Sequence, residues 1–122
     1  MQFDERSEGD VVILAPRGRL TLETFGMLKA FVGACVDRGC RRLVLNLARV
    51  SYADSIGIAE IIRAHIMLRR HGGRLKLSNL SAQVNTLLTL AGLRDVLETY
   101  ETEAAALASF SRVSDASEPT VA

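Results

Sequence analysis

An acid and a hydroxyl stand side by side at Asp54 and Ser55, between an apolar stretch typical of a strand and one typical of a helix. A serine at such a junction can be a nucleophile, a helix cap, or the target of a modifying enzyme. A nucleophilic serine needs a base within hydrogen-bond reach and a third group that orients the base. The chain has only His65 and His71, both on the helix predicted to follow Ser55. At a rise of ~1.5 Å per residue His65 lies about 15 Å from Ser55, so we expect that the protein is not an enzyme.

Other reactive groups are few. Cys35 and Cys40 have no second Cys or His pair at metal-binding spacing, and the simplest interpretation is a reduced, cytoplasmic protein. Neither a phosphate-binding loop nor a dinucleotide fingerprint is present. The sequence therefore predicts no metal and no cofactor.

Composition limits the class of partner. The chain has 122 residues, of which 48% are hydrophobic, which fits one compact domain. Its 15 Lys and Arg nearly balance its 14 Asp and Glu, so no net field attracts nucleic acid. The polar N-terminus lacks the apolar core of a signal peptide, and no apolar run approaches the roughly 20 residues that span a bilayer. We expect neither nucleic-acid binding nor membrane insertion.

The elements that would position Asp54 and Ser55 alternate along the chain. A buried strand is predicted over 11–18, preceded by an edge strand that pairs back on it. A helix is predicted from Leu22 with Thr21 as its cap, followed by a strand over 41–50. Helical spacing returns over 56–70, with Glu60, Arg63 and Arg70 on the wet side.

The second half of the chain continues the alternation. A strand over 74–80, a helix capped by Ser81, a short strand within 95–100 and a final helix within 102–110 are predicted. This order indicates an α/β fold with a mixed, mostly parallel sheet of about five strands and helices mainly on one face. We predict one domain over 1–113 and a flexible tail over 114–122.

The cap interpretation of Ser55 explains its position. A serine hydroxyl at the start of a helix accepts a bond from an unpaired amide, a contribution of roughly 1 kcal/mol. It does not explain Ile56 and Ile58, two large aliphatic residues next to the cap, where we expect solvent or a partner. Ligands and partners of open α/β sheets bind beside the carboxyl ends of the strands.

The motifs from Val11 to Phe110 resemble the STAS domain of bacterial anti-sigma factor antagonists. The resemblance rests on the aspartate-serine-x-glycine element at 54–57, on the glycine pair at 72–73, and on the strings "LKLSNLS" and "LLTLAGLRDVL". It implies the STAS fold. It also implies that a partner, both anti-sigma factor and serine kinase, phosphorylates Ser55 and that a phosphatase restores the serine.

Carried over by position, the resemblance assigns Ser55 as the phosphoacceptor and Asp54 as its motif neighbour. The unmodified antagonist binds the anti-sigma factor and releases a sigma factor, whereas the phosphorylated form does not. The residues assigned to partner binding are Thr21, Asp54, Ser55, Ile56, Gly57 and Ile58. The family commonly has an acid where this chain has Thr21, so the nucleotide or kinase contact of that acid is not carried over. Ile56 stands where many antagonists have a second Ser or Thr.

Two alternatives stay open. The chain could be a non-switching STAS scaffold or subunit, of the stressosome type or the cytosolic partner of a lipid-transporting ABC system. A small hydrolase using Ser55 is disfavoured because no base is within reach. The intact pair of Asp54 and Ser55 favours the switched antagonist, although analogy at the level of fold does not decide between them.

Overall fold

A six-stranded mixed sheet forms the centre of the computed structural model, which describes residues 1–111. The strands are β1 (Gln2–Glu8), β2 (Val11–Leu20), β3 (Arg42–Asn46), β4 (Val50–Ala53), β5 (Arg74–Ser78) and β6 (Glu98–Tyr100). The order is β1-β2-β3-β5-β6, and β4 pairs with β2. Among these described strands only β1 and β2 are antiparallel, and the other pairs are parallel. The predicted α/β class and the hairpin at the start are confirmed.

The sixth strand, β4, was not predicted. The ten residues of β2 pair first with β3, over Val11–Leu14, and then with β4, over Gly18–Leu20. The predicted strand over 41–50 is therefore interrupted, and its continuation carries the chain to Ala53. In β4 both inner residues are exposed while both ends are buried, so this strand does not show the alternation that indicates strands from sequence.

Three of the four helices within residues 1–111 share one face of the sheet. These are α1 (Met27–Asp37), α2 (Ser55–Arg70) and α3 (Ala82–Leu90), which bury a core with Leu14, Leu43, Leu45, Leu75 and Leu77. The fourth, α4 (103–111), packs on the opposite face against Val11, Ile13 and Val44. The expectation of helices mainly on one face is confirmed.

The start of α1 differs from the prediction. Residues Leu22–Thr24 form a single 3-10 turn, and α1 begins at Met27 after Gly26, whose φ is 91°. The hydroxyl of Thr21 is buried without a hydrogen-bond partner, so Thr21 does not cap through its side chain. Leu22 is 66% and Phe25 46% exposed, whereas Leu28, Val32 and Val36 of the same predicted face are buried in α1. The core-facing helix therefore begins only at Met27.

The N-terminus of α1 receives its cap from α2. One carboxylate oxygen of Glu60 accepts a hydrogen bond from the backbone amide of Lys29 at 3.1 Å. Glu60 is 1% exposed, so its predicted place on the wet side of α2 is wrong, whereas Arg63 and Arg70 are exposed as expected. A carboxylate at this point satisfies an unpaired amide and interacts favourably with the positive end of the α1 dipole.

Two further predictions concern chain segments. No helix within residues 1–111 is long and apolar enough to cross a membrane. The tail predicted over 114–122 lies outside the described residues.

Candidate functional site

Residues 53–57, at the junction between β4 and α2, are called the acceptor segment after the role expected for Ser55. Asp54 has an extended backbone, its carbonyl accepts from the amide of Ile58 at 3.0 Å, and its carboxylate Oδ1 accepts from the amide of Gly57 at 2.9 Å. Asp54 is therefore the N-cap of α2, and the prediction that Ser55 caps the helix is wrong. Ser55 is the first helical residue; its side chain is exposed and its hydroxyl forms no hydrogen bond with the described residues.

Gly57 is required by the close approach of α2 to the end of β2. A Cβ built on Gly57 would lie 2.0 Å from the carbonyl oxygen of Leu20. The same oxygen accepts a hydrogen bond from the amide of Asp54 at 3.1 Å. A glycine two residues after Ser55 thus permits the first turn of α2 to sit directly on the carboxyl end of β2.

The six residues assigned from sequence are brought together, but they do not share one surface. Ser55 is exposed, Asp54 and Ile56 are half-buried, and Gly57 is buried. Thr21, at 7% exposure, lies under the segment next to the end of β2. Ile58 is 4% exposed and belongs to the core.

The expected solvent-facing position of Ile58 is therefore wrong. It begins the buried stripe that continues through Ile61, Ala64 and Leu68 along the inner side of α2, at the spacing of one helix face. Of the two isoleucines after the cap, Ile56 is the one that offers appreciable surface.

An apolar groove between α2 and α3 was not found from the sequence. It has a volume of about 630 Å³ and begins at Ser55. Its lining residues are Ser55, Ile58, Ala59, Ile62, Arg63 and Ile66 on α2, with Leu87, Leu90, Ala91 and Leu93 from α3 and the turn after it. Ile66 is 41% and Leu90 80% exposed. Leu90 lies off the buried face that Val84 and Leu88 define on α3. An apolar residue off that face was the one sign in the sequence that α3 has a second apolar surface.

A second apolar surface lies around the 3-10 turn. Leu22, Phe25 and Met27 are exposed, as is Tyr52 on β4. The guanidinium of Arg63 lies 5.1 Å from the ring centre of Phe25. Because Arg63 also lines the groove, this arginine contacts both apolar surfaces.

Neither histidine of the chain lies near Ser55. His65 and His71 lie in the last turns of α2 and at its C-terminal cap. Burial, aided by the charge of Arg69, lowers the pKa of His65, while Nδ1 of His71 lies 2.8 Å from the carbonyl oxygen of Met67. Among residues 1–111 no cluster of three His, Cys, Asp or Glu side chains could hold a metal ion.

Comparison with known proteins identifies the class. The sequence profile of the STAS domain matches residues 2–106, and the chain belongs to the STAS domain family. It is 25% identical over 115 residues to an anti-sigma F factor antagonist of Paenibacillus polymyxa, covering 93% of this chain and 98% of that protein. It is 32% identical over 83 residues to the putative anti-sigma factor antagonist BtrV of Bordetella bronchiseptica, covering 68% and 72%.

The fold agrees with this family. The crystal structure of a putative anti-sigma factor antagonist from Thermotoga maritima superimposes with a TM-score of 0.82 at 26% identity, covering 88% of this chain and 92% of that one. The STAS family and its anti-sigma factor antagonist relatives, expected from the motifs, are confirmed.

Proposed function

We propose that this protein is an anti-sigma factor antagonist whose binding to its anti-sigma factor is controlled by phosphorylation of Ser55. One observation carries the proposal. Because Asp54 takes the role of helix cap, the hydroxyl of Ser55 is left free and exposed at the end of an apolar groove. A free hydroxyl at the edge of a docking surface is what a modifying kinase needs.

A phosphate on Ser55 is compatible with the fold. It would add nearly two negative charges in the first turn of α2, where the helix dipole and the unpaired amides favour an anion. The carboxylate of Asp54 is close and repels that charge. Because Ser55 faces solvent, water and salt screen the repulsion.

The same phosphate opposes docking of a partner. Ser55 lines the groove whose other members are apolar apart from Arg63, so an apolar partner segment that enters the groove would have to strip water from a dianion. Desolvating such a charge without a partner group costs several kcal/mol, and every 1.4 kcal/mol is a tenfold loss of affinity.

The proposal assigns distinct roles to the residues of the segment. Ser55 and Ile56, with the exposed part of Asp54, form the contact surface. Thr21, Gly57 and Ile58 support that surface from beneath. The partner is a cytoplasmic anti-sigma factor that is also a serine kinase, and a phosphatase returns the protein to its binding form.

The test is phosphorylation in vitro. The protein is incubated with candidate anti-sigma factor kinases and ATP, and the modified residue is mapped by mass spectrometry. We expect one phosphate, on Ser55, which is absent in Ser55→Ala and retained in Ser51→Ala. Ser51 is a matched control because it is also exposed, four residues earlier, within β4. Modification at another residue, or none with any kinase, contradicts the proposal.

The groove also suits a second candidate, a STAS subunit that binds its partner constitutively. The groove is formed by α2 and α3 whether or not Ser55 carries a phosphate. Partner binding that is equally tight for wild type and Ser55→Glu would favour this function over the switched one.

A further inference from the structure

Gln83, the second residue of α3, holds the chain just before the acceptor serine. Its Nε2 donates to the carbonyl oxygen of Ala53 at 2.7 Å, and its Oε1 accepts from the amide of Ala53 at 3.1 Å. One side chain therefore pairs both backbone groups of a single residue. Ala53 is fully buried, and its amide and carbonyl would be costly to leave unpaired.

The side chain of Gln83 pairs with the edge of β4 that does not face β2. Successive residues of a strand direct their backbone groups to opposite edges. At the end of β4 the amide of Asp54 donates to the carbonyl oxygen of Leu20 in β2, so the neighbouring groups of Ala53 face away from β2. Gln83 occupies that other edge, and the end of β4 is thus held on both sides immediately before Asp54 and Ser55.

We propose that Gln83 is a positioning residue for the modification of Ser55. By fixing Ala53 it fixes the start of α2, where Asp54 must cap the amide of Gly57 for the hydroxyl of Ser55 to remain free. The inference rests on the proposed function, since positioning matters for chemistry only if Ser55 is the acceptor.

The same helix forms a wall of the groove. Leu87 and Leu90, four and seven residues beyond Gln83, line it, which places all three along one side of α3. Gln83 therefore sets where the acceptor segment lies relative to the surface on which the partner docks. A kinase bound in the groove meets Ser55 at a fixed distance because α3 holds both.

The first arm of the test uses the protein alone. Gln83→Met keeps the length of the side chain and removes both hydrogen bonds; Thr86→Ala, at an exposed position of α3, is the control. We expect the amides of Ala53 and Gly57 to exchange with solvent at least ~10-fold faster in Gln83→Met, since each lost hydrogen bond is worth about a factor of five. The amide of Leu45 in β3 should exchange as in wild type, and Thr86→Ala should change none of them.

The second arm measures phosphorylation kinetics with an anti-sigma factor kinase that modifies wild type. A misplaced hydroxyl slows transfer without weakening docking, so kcat should fall about tenfold in Gln83→Met while KM stays unchanged.

The outcomes separate the two proposals. If no kinase modifies wild type, the proposed function fails, and the exchange rates alone decide whether Gln83 holds the segment. Unchanged exchange at Ala53 and Gly57 in Gln83→Met overturns the positioning role, and so does an unchanged kcat on a kinase that modifies wild-type Ser55.

Discussion

Replacing Gly57 by alanine tests the contact on which the acceptor segment is built. The added Cβ would lie 2.0 Å from the carbonyl oxygen and 2.6 Å from the carbonyl carbon of Leu20, and real Cβ contacts essentially never fall below 3.0 Å. The first turn of α2 must therefore move away from β2 by about 1 Å. Overpacking of this kind costs about 1–3 kcal/mol.

Two smaller effects nearly cancel. The displaced turn loses the hydrogen bond from Asp54 to Leu20, worth about 1 kcal/mol. Alanine has a helix propensity better than that of glycine by about 1 kcal/mol. We expect Gly57→Ala to lower the free energy of unfolding by about 2 kcal/mol, measured from urea titrations followed by circular dichroism and compared at equal m-value.

Gly33 in α1 is the matched control. A Cβ on Gly33 would meet only the sulfur and methyl group of Met67, at 3.7 and 3.9 Å, which is ordinary van der Waals contact. The same substitution should there raise the free energy of unfolding by about 0.5–1 kcal/mol. A Gly57→Ala protein as stable as wild type would refute the close contact of α2 with β2. Destabilisation of equal size in Gly57→Ala and Gly33→Ala would show that contact with Leu20 is not the cause of the loss.

Three further perturbations follow from the described contacts. Asp54→Ala removes the cap of α2 and should lower the free energy of unfolding by about 1 kcal/mol in the same urea assay. Burial raises the pKa of both thiols, that of Cys35 to about 11, and Cys35 is fully buried whereas Cys40 is half-buried. Near pH 8 iodoacetamide should therefore label Cys40 first, with labelling of Cys35 increasing as pH rises; mass spectrometry of the native protein would show the order. The ion pair with Arg6 lowers the pKa of Glu103 below its ordinary 4.5, so its stabilisation is present above about pH 4.5 and lost as pH falls through the lower pKa. The melting temperature of Glu103→Gln should therefore fall less than that of wild type between about pH 6 and pH 3.

Helix caps illustrate what the sequence can predict. Ser81 was expected to cap α3, and its hydroxyl does accept from the amide of Val84 at 3.2 Å. At the start of α2 two adjacent residues can cap, and only the backbone conformation decides that Asp54 does so. At Thr21 the hydroxyl is buried without a hydrogen-bond partner, and only a single 3-10 turn follows it before α1 begins at Met27. A capping residue is predictable where a single candidate precedes a regular helix.

Long-range contacts explain what the sequence could not show. The exposure of Ser55 at the start of α2 was predictable because it depends on its neighbours in the chain. The groove and the pairing of Gln83 with Ala53 depend on how α3 docks against β4, across 30 residues of chain. Glu60 was expected in solvent because a charged residue on a helix usually lies there. Its carboxylate instead accepts from the amide of Lys29 and caps the N-terminus of α1.

The affinity of the cognate anti-sigma factor for this protein, before and after complete phosphorylation of Ser55, is the most direct test of the account. Titration calorimetry of both forms measures it. We expect at least a ~100-fold loss of affinity on phosphorylation, which corresponds to about 2.7 kcal/mol. Equal affinity of the two forms would contradict the central claim that the charge on Ser55 controls docking.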